Sequence, residues 1–282
     1  MALTLMYITN NPTIAKIAEK AGVDRIWVDM EYIGKDERQF GLDTVKSHHT
    51  VEDIKRIRAV VSKSELLVRI NPIHDASDYY CASEQEIEGV ISAGADVIML
   101  PMFKTCDEVT RFIKCIDGRC KVQLLLETTE AVEIIEDVLK IKGIDEIHIG
   151  LNDLHLAMRQ TFMFELLCDG TVEKLCKKIH DKKIKYGFGG IARVGYGMLP
   201  AEHIIAEHYH LGSTAAILSR GFCDANIVKD PLLIANIFTE GVQYIRIKEE
   251  EVSKYTEKQY VDNMNIVRKK VNEIVENKRM QL

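Results

Sequence analysis

Two acidic residues stand where neighbouring strands of a predicted sheet end. Glu127 follows the short apolar run 122–126, and Asp153 lies two residues beyond a second run, 147–151. The chain between the runs carries apolar side chains at helical spacing, so the order is strand, helix, strand. Parallel strands joined by a crossover helix end at the same edge of a sheet. We therefore expect the two carboxylates to lie side by side, where they can hold a divalent cation.

One or two carboxylates suit Mg²⁺ or Mn²⁺, because these ions keep water molecules and leave positions open for a substrate. A 2-oxo acid would complete the coordination with a carboxylate and a carbonyl oxygen, and the cation would stabilise the enolate formed when a carbon–carbon bond breaks. Arg69, at the end of another predicted strand, would add a fixed positive charge at that oxygen. The alternative is that Arg69 forms a structural ion pair with a nearby acid.

Other polar residues also follow predicted strands. Asp29 and Glu31 come at the end of the second strand, and Asn71 follows the third. We interpret Asp29 and Glu31 as supporting groups of the same catalytic site. Acids at separate strand ends can instead be isolated helix N-caps, an alternative that stays open for Asp153 in particular.

Histidines offer a group that titrates near neutrality. His48 and His49 fall in the loop after the second strand, and His49 is a candidate for proton transfer to an aldol oxygen. Alternatively the pair is exposed to solvent and helps Thr50 to cap the next helix. His148 lies within the sixth strand and is expected to be a core residue.

A glycine-rich loop, 187–197, follows the seventh predicted strand and contains Arg193. Loops seven and eight of a barrel often bind phosphate, so Arg193, or Arg220 after the eighth strand, could contact an anionic part of the substrate. The glycines could equally serve only a turn.

A recurring phrase predicts the fold. The same pattern occurs at 22–29, 94–101 and 143–150: Gly, then a small apolar residue, then Asp, then a strand that is expected to be buried. Gly is favoured where a helix ends. Strands are predicted near 3–8, 25–30, 66–70, 96–100, 121–126, 145–150, 185–190 and 214–219. Eight strands alternating with helices indicate an α/β fold, the (β/α)8 TIM barrel. A doubly wound sheet is the competitor, but the first strand lacks a glycine-rich phosphate turn.

The predicted barrel covers residues 1–228, and residues 229–282 form a C-terminal helical extension. Apolar residues at helical spacing lay a seam along the last helix: Tyr260, Met264, Val267, Val271 and Ile274. The seam requires a partner, either the chain's own barrel or a neighbouring subunit. We expect a homo-oligomer formed through this helix.

Composition narrows the functional classes. A net charge of −6 without a Lys/Arg block argues against nucleic acid as a partner. No run approaches the ~20 apolar residues of a membrane span, and the N-terminal residues do not resemble a signal peptide. Seven cysteines without metal-ligand spacing are typical of reduced thiols. A cytoplasmic protein with a small-molecule substrate is expected.

Several segments together resemble the HpcH/HpaI aldolase and citrate lyase beta-subunit superfamily. They are AGVDRIWVDMEYIGKDERQ, LLVRINP, AGADVIMLPM, LLLETTEAV and GIDEIHIGLNDL. The resemblance implies a (β/α)8 barrel, metal ligation by Glu127 and Asp153, and a role for Arg69 at the pyruvyl oxygen. It further implies that the backbone at Gly150, Leu151 and Asn152 receives the substrate carboxylate, and that the C-terminal helix is exchanged between subunits.

The chain departs from the aldolase branch of this superfamily in three ways. The residue after Glu31 is Tyr32 where that branch has the His that acts as base, and Leu125 replaces a Gln. The sequence DME followed by Lys35 and Arg38, together with VRINP, is similar to the citrate lyase branch, which acts on CoA thioesters. The sequence thus predicts a metal-dependent carbon–carbon lyase acting on a 2-oxo acid through a pyruvate enolate. An acyl-CoA lyase and a non-catalytic barrel acting in assembly remain alternatives.

Overall fold

Eight parallel strands form a closed barrel in the order in which they occur in the chain. The structure is a computed structural model and describes residues 2–34, 49–225 and 227–280. Its strands are β1 (Thr4–Ile8), β2 (Arg25–Asp29), β3 (Glu65–Arg69), β4 (Val97–Leu100), β5 (Lys121–Leu126), β6 (Glu146–Ile149), β7 (Lys185–Ile191) and β8 (Ala215–Leu218). Pairing of β1 with β8 closes the sheet. The predicted (β/α)8 barrel is confirmed, and each predicted strand agrees with the structure to within one residue.

Helices connect the strands and extend the chain beyond them. Those of the barrel are α1 (Pro12–Lys20), α2 (Val51–Arg58), α3 (Ser83–Ser92), α4 (Cys106–Ile116), α5 (Thr129–Glu133), α6 (Ile135–Val138), α7 (Leu151–Ala157), α8 (Glu165–Cys168), α9 (Thr171–Asp181) and α10 (Ala201–His210). The extension contains α11 (Pro231–Val252) and α12 (Glu257–Arg279). Reciprocal capping bonds begin α2, α4 and α12, at Thr50, Thr105 and Thr256. No helix of these described ranges is long and apolar enough to cross a membrane.

The recurring Gly-x-Asp phrase has a structural explanation. Its three glycines, Gly22, Gly94 and Gly143, have φ angles of 94°, 99° and 95°, where a side chain would be strained. The Asp two residues later accepts a hydrogen bond from the backbone of the preceding strand. These bonds join Asp24 to Leu5 N, Asp96 to Leu66 N and Asp145 to Val122 N, at 2.8, 2.7 and 2.8 Å. The phrase therefore ends one helix and aligns the next strand with its neighbour.

Charged side chains fill the barrel at the N-terminal ends of its strands. Arg25 of β2 donates to both carboxylate oxygens of Glu146 on β6, at 2.5 and 2.7 Å, and to Glu65 on β3 at 2.8 Å. Only 3% of Arg25 and 6% of Glu146 are exposed. A buried ion is tolerated only when its partners are in place, so this network fixes β2, β3 and β6 relative to one another. Above it lies an apolar layer: Met6, Trp27, Leu67, Val97, Met99, Leu125 and Ala215.

Arg25→Met is expected to lower the free energy of unfolding by about 3–5 kcal/mol, because it leaves the Glu146 carboxylate buried without its cation. Urea denaturation of the two proteins measures the difference. Lys140→Met is the matched control, since the Lys140–Asp137 ion pair is exposed on both sides, and we expect no measurable change from it. Equal losses in the two variants would contradict a structural role for the network.

The extension packs on its own barrel. Helix α12 lies against α10 and α8, and the buried residues on its inner face are Asn263, Val267, Val271 and Val275. Asn263 donates to the buried carboxylate of Glu207 on α10 at 2.7 Å. The predicted apolar seam is present, and of the two partners that the sequence left open, the chain's own barrel covers it.

Helix α11 holds the first strand at its N-terminal end. The backbone N–H of Leu3 donates to Glu249 at 2.5 Å, and the carbonyl of Leu3 accepts from Arg246 at 2.8 Å. Arg246 also bonds Asp24, at the start of β2, at 2.9 Å. Side chains from the C-terminal part of the chain therefore satisfy backbone groups at the opening of β1.

Candidate active site

The predicted site residues follow strands at one end of the barrel. Asp29 ends β2 and Arg69 ends β3, and the two residues are in register across the strand pair. Glu127 follows β5 directly, while Asp153 lies in the first turn of α7, after β6. Because all strands are parallel, these residues share the C-terminal face, which is the face that carries active sites in such barrels.

Arg69 is held by two carboxylates. Its Nε and one Nη donate to the two oxygens of Asp29 at 2.7 and 2.8 Å, and its other Nη lies 3.1 Å from Glu31. Burial disfavours the charged form of Arg69 and lowers its pKa. The negative charges of Asp29 and Glu31 outweigh this effect and raise the pKa of Arg69 well above its ordinary value. The ion pair that the sequence left open is therefore present. A guanidinium has five N–H donors, so two remain for another acceptor.

Glu127 is a buried carboxylate among like charges. It is 3% exposed, and its Oε1 accepts a 3.1 Å hydrogen bond from the backbone N–H of Met102. Burial raises the pKa of Glu127 well above its usual value, and the charges of Asp153 and Glu31 raise it further, against the opposing effect of Arg69. Glu127 and Asp153, which follow successive strands, therefore repel each other, and Arg69 does not supply enough positive charge to neutralise both.

Asp153 is not a helix cap. Helix α7 has Gly150 as its N-cap residue, without a side-chain cap bond, and Asp153 is the third residue of the helix. Within the described part of the chain its carboxylate makes no hydrogen bond or ion pair. The N-cap alternative for Asp153 is wrong, and its carboxylate is available to a ligand near Glu127.

Charge and donor type at this site fit a divalent cation. Asp29 and Glu31 pair with the single guanidinium of Arg69, while Glu127 also interacts with Asp153, so the cluster carries excess negative charge. Among residues 2–34, 49–225 and 227–280, no group of three or more His, Cys, Asp or Glu side chains could hold a metal ion. A cation here would take two protein carboxylates at most, as an ion that retains water does.

The backbone around α7 offers fewer donors than the sequence implied. The N–H of Gly150 donates to the carbonyl of Leu126 at 2.9 Å, so it is not available to a substrate. Leu151 and Asn152 are the first two residues of the helix, whose N–H groups have no partner within it. Of the three predicted carboxylate-binding positions, these two retain that capacity.

His49 lies beside the end of β2, and its Nδ1 accepts a hydrogen bond of 2.9 Å from the backbone N–H of Asp29. In a neutral imidazole whose Nδ1 accepts, the proton is on Nε2. His49 is thus arranged to donate a hydrogen bond through Nε2 rather than to take up a proton at Nδ1. His48, Lys35 and Arg38 lie outside the described residues. His148 is a core residue as predicted, and burial lowers its pKa to about 4.

The structure does not bring Arg193 to the acidic cluster. Its guanidinium stacks on Tyr196 at 4.1 Å, and its side chain approaches Gly241 of α11. Arg193 therefore belongs to the side of the rim formed by loops seven and eight and the extension.

Two features of this region were missed by the sequence reasoning. Met102 has a φ of 52°, a left-handed conformation that is unusual for a residue with a Cβ, and this conformation accompanies the N–H bond to Glu127. Asn71 was noted at the strand end without a role, yet it is 2% exposed and its side chain makes three hydrogen bonds, to Tyr32, Ile33 and Glu86. No residue pattern in the sequence signals the conformation of Met102. The position of Asn71, two residues after a candidate Arg at a strand end, could have drawn attention to it.

Two surface depressions lie away from the cluster. One is lined by residues of α4, with Glu84 of α3, and the other opens at the N-terminal ends of β3 to β5. Neither contains Arg69, Glu127 or Asp153.

Comparison with known proteins gives consistent matches. The family model for HpcH/HpaI aldolase/citrate lyase matches residues 3–164. An HpcH/HpaI aldolase from Desulfitobacterium hafniense DCB-2 superposes with a TM-score of 0.58 at 15% identity, covering 77% of this chain and 86% of that one. An HpcH/HpaI aldolase/citrate lyase family protein from Burkholderia cenocepacia J2315 gives 0.61 at 13%, covering 87% and 95%.

A variant of the citrate synthase SbnG is also similar, with a TM-score of 0.55 at 15% identity over 78% of this chain and 88% of that chain. No curated protein sequence matched. At these identities the structural likeness concerns the fold, whereas the family model matches the sequence itself, including the segments that carry Asp29, Arg69, Glu127 and Asp153.

Proposed function

Because the chain belongs to the HpcH/HpaI aldolase/citrate lyase family, we propose that it is a Mg²⁺- or Mn²⁺-dependent carbon–carbon lyase that cleaves or forms a 2-oxo acid through a pyruvate enolate. The observation that carries the proposal is the pair formed by the buried Glu127 and the half-buried Asp153, whose negative charges are only partly offset by Arg69. A cation between them would relieve that repulsion and complete the site.

Each polar group of the cluster then has a task. Glu127 and Asp153 would hold the metal, which when bound supplies positive charge to the carboxylate and carbonyl oxygens of a 2-oxo acid. The two remaining N–H donors of Arg69 would face the oxygen that becomes negative in the enolate. Asp29 and Glu31 would orient Arg69, a role that their contacts with its guanidinium support.

The substrate carboxylate would accept from the N–H groups of Leu151 and Asn152. His49 would donate a hydrogen bond through Nε2 to the aldol oxygen, since its Nδ1 already accepts from Asp29. In the synthetic direction solvent water would supply the proton that the new alkoxide takes up. Arg193 would contact an anionic part of a longer substrate from the opposite side of the rim.

Release of pyruvate from 4-hydroxy-2-oxo acids, followed in the presence of Mg²⁺ or Mn²⁺, tests the proposal. We expect turnover that EDTA abolishes and either metal restores. Turnover that persists in EDTA would overturn the metal role, and no pyruvate from any such acid would overturn the reaction. A crystal soaked with pyruvate and Mg²⁺ would show which oxygens the ligand contacts.

Gly150→Ala is expected to weaken Mn²⁺ binding by about 10–100-fold, the usual cost of disturbing the surroundings of a metal ligand. A Cβ at position 150 would lie 2.8 Å from Glu127 Cβ and 2.9 Å from its Oε2, so the carboxylate must move. Calorimetric titration with Mn²⁺ measures the effect. Gly89→Ala is the control, because its Cβ would meet only Val51 at 3.8 Å. Wild-type affinity in Gly150→Ala would contradict the position given to Glu127.

An acyl-CoA lyase is the second candidate, favoured by the sequence DME at the end of β2 and by VRINP at the end of β3. Saturable binding of acetyl-CoA would support it over the aldolase. A non-catalytic barrel predicts neither CoA binding, nor pyruvate release, nor metal at Glu127.

Self-association through the extension remains part of the proposal. Its support is an apolar stripe on the outer face of α11, where Leu233, Tyr244 and Ile247 are at least half exposed. Light scattering of the full chain measures the oligomer size. Tyr244→Lys should shift the protein toward smaller species, and an unchanged size would contradict self-association through this face. Truncation after Glu249 keeps the stripe and removes the last helix, so a truncated protein of unchanged size would reject a role for that helix.

A further inference from the structure

One buried amide connects the candidate site to a neighbouring helix. Asn71 is 2% exposed and lies two residues after Arg69. Its Oδ1 accepts from the backbone N–H groups of Tyr32 and Ile33, both at 3.0 Å. These are the two residues that follow Glu31, so Asn71 fixes the loop that carries the acid paired with Arg69.

The other side of the amide is fixed by an acid on α3. Asn71 Nδ2 donates to Glu86 Oε1 at 2.8 Å, and its backbone N–H donates to the same oxygen at 3.2 Å. Two N–H donors on one side and a carboxylate on the other allow only one orientation of the amide. Glu86 is 7% exposed, and burial raises its pKa, although the bonds from Asn71 oppose the rise.

We propose that Asn71 is a positioning residue for the reaction, bridging Glu86 to the backbone after Glu31 and thereby setting Glu31 against Arg69. The proposal rests on the function proposed above. Glu31 lies 3.1 Å from an Nη of Arg69, so a displaced loop would turn the guanidinium away from the oxygen that gains charge. Such an effect falls on the reaction step more than on substrate binding.

Asn71→Ala is expected to lower kcat by about 10–100-fold, the usual effect of removing a group that supports a catalytic residue, while KM changes little. Asn71→Asp keeps the acceptor for Tyr32 and Ile33 but places a carboxylate against Glu86, and we expect a similar loss. The double variant Asn71→Asp/Glu86→Gln restores one of the two bonds, because the new amide at 86 can donate to the new carboxylate at 71, whereas the backbone N–H of residue 71 loses its acceptor. Its kcat should rise several-fold above that of Asn71→Asp without reaching wild type.

Hydrogen exchange of the Tyr32 and Ile33 amides gives a readout that is independent of turnover. Their protection should fall in Asn71→Ala and recover in part in the double variant. Ser64→Ala is the matched control: it removes a buried 2.6 Å hydrogen bond to Val23 at the other end of the barrel, and it should change neither readout.

Wild-type protection of both amides in Asn71→Ala would overturn the proposal. Loss of that protection with an unchanged kcat would overturn it too. The same holds for a double variant whose kcat is no higher than that of Asn71→Asp. If wild-type protein releases no pyruvate from any 2-oxo acid, the proposed function fails, and the exchange readout then decides the link by itself.

Discussion

Glu127→Gln is expected to abolish turnover and to make the metal-free protein more stable. The amide has the size of the carboxylate but is a poor ligand for a hard cation, and loss of the metal is worth several kcal/mol of transition-state stabilisation, about a 10³-fold decrease in kcat/KM. The same change removes a buried negative charge that lies close to those of Asp153 and Glu31. We expect a gain on the order of 1 kcal/mol in unfolding free energy, because such a charge is costly to bury.

Thermal unfolding with EDTA and with Mn²⁺ separates the two effects. Wild-type protein should gain about 2.7 kcal/mol at a metal concentration of 100 Kd, whereas Glu127→Gln should gain nothing. Glu130→Gln is the control, since it makes the same chemical change on an exposed acid paired with Lys104. A Glu127→Gln protein that is less stable than wild type without metal would show that Glu127 is a structural acid.

Arg69→Lys is expected to reduce kcat about 10²–10³-fold, although the charge is conserved. The guanidinium contacts both oxygens of Asp29 and also Glu31, and keeps two N–H groups for a substrate. A lysine ammonium is a single point charge with three donors on a flexible chain and cannot reproduce this planar arrangement. Losing one donor that faces a developing negative charge has a cost of this size.

Steady-state kinetics and urea denaturation measure the two consequences of changing Arg69. Arg69→Met should be worse, lowering the free energy of unfolding by about 3–5 kcal/mol, because Asp29 and Glu31 would stay buried without their cation. Arg56→Lys provides the control, because the guanidinium of Arg56 is exposed in its ion pair with Asp53. Full activity of Arg69→Lys would mean that Arg69 only neutralises the two acids.

Much of the scaffold follows from local patterns. Glycine at helix ends, aspartate two residues later and apolar runs predict eight strands, and a closed parallel sheet then places every strand end on one rim. Asp29, Arg69 and Glu127 were found in this way because they lie at strand ends, where position in the sequence determines position in space. The resemblance to a family added the roles that spacing alone left open.

Directions of side chains could not be predicted in the same way. The ring of His49 is oriented by a backbone N–H of another element, and Arg193 turns toward Tyr196 rather than toward the acids. The bond from Met102 to Glu127 accompanies a left-handed conformation that its residue type does not favour. An amphipathic pattern on α12 shows that one face is covered, but not which surface covers it.

The hydrogen bonds from α11 to Leu3 can form only late in synthesis, because α11 follows the eighth strand. β1 obtains its second neighbour only when β8 has been synthesised, and its first backbone groups are bonded by residues 246 and 249. Until then the earliest strand has an open edge that can pair with other chains. Contacts this distant in sequence make ring closure slow. Enclosure of β1 on both sides therefore requires nearly the whole chain.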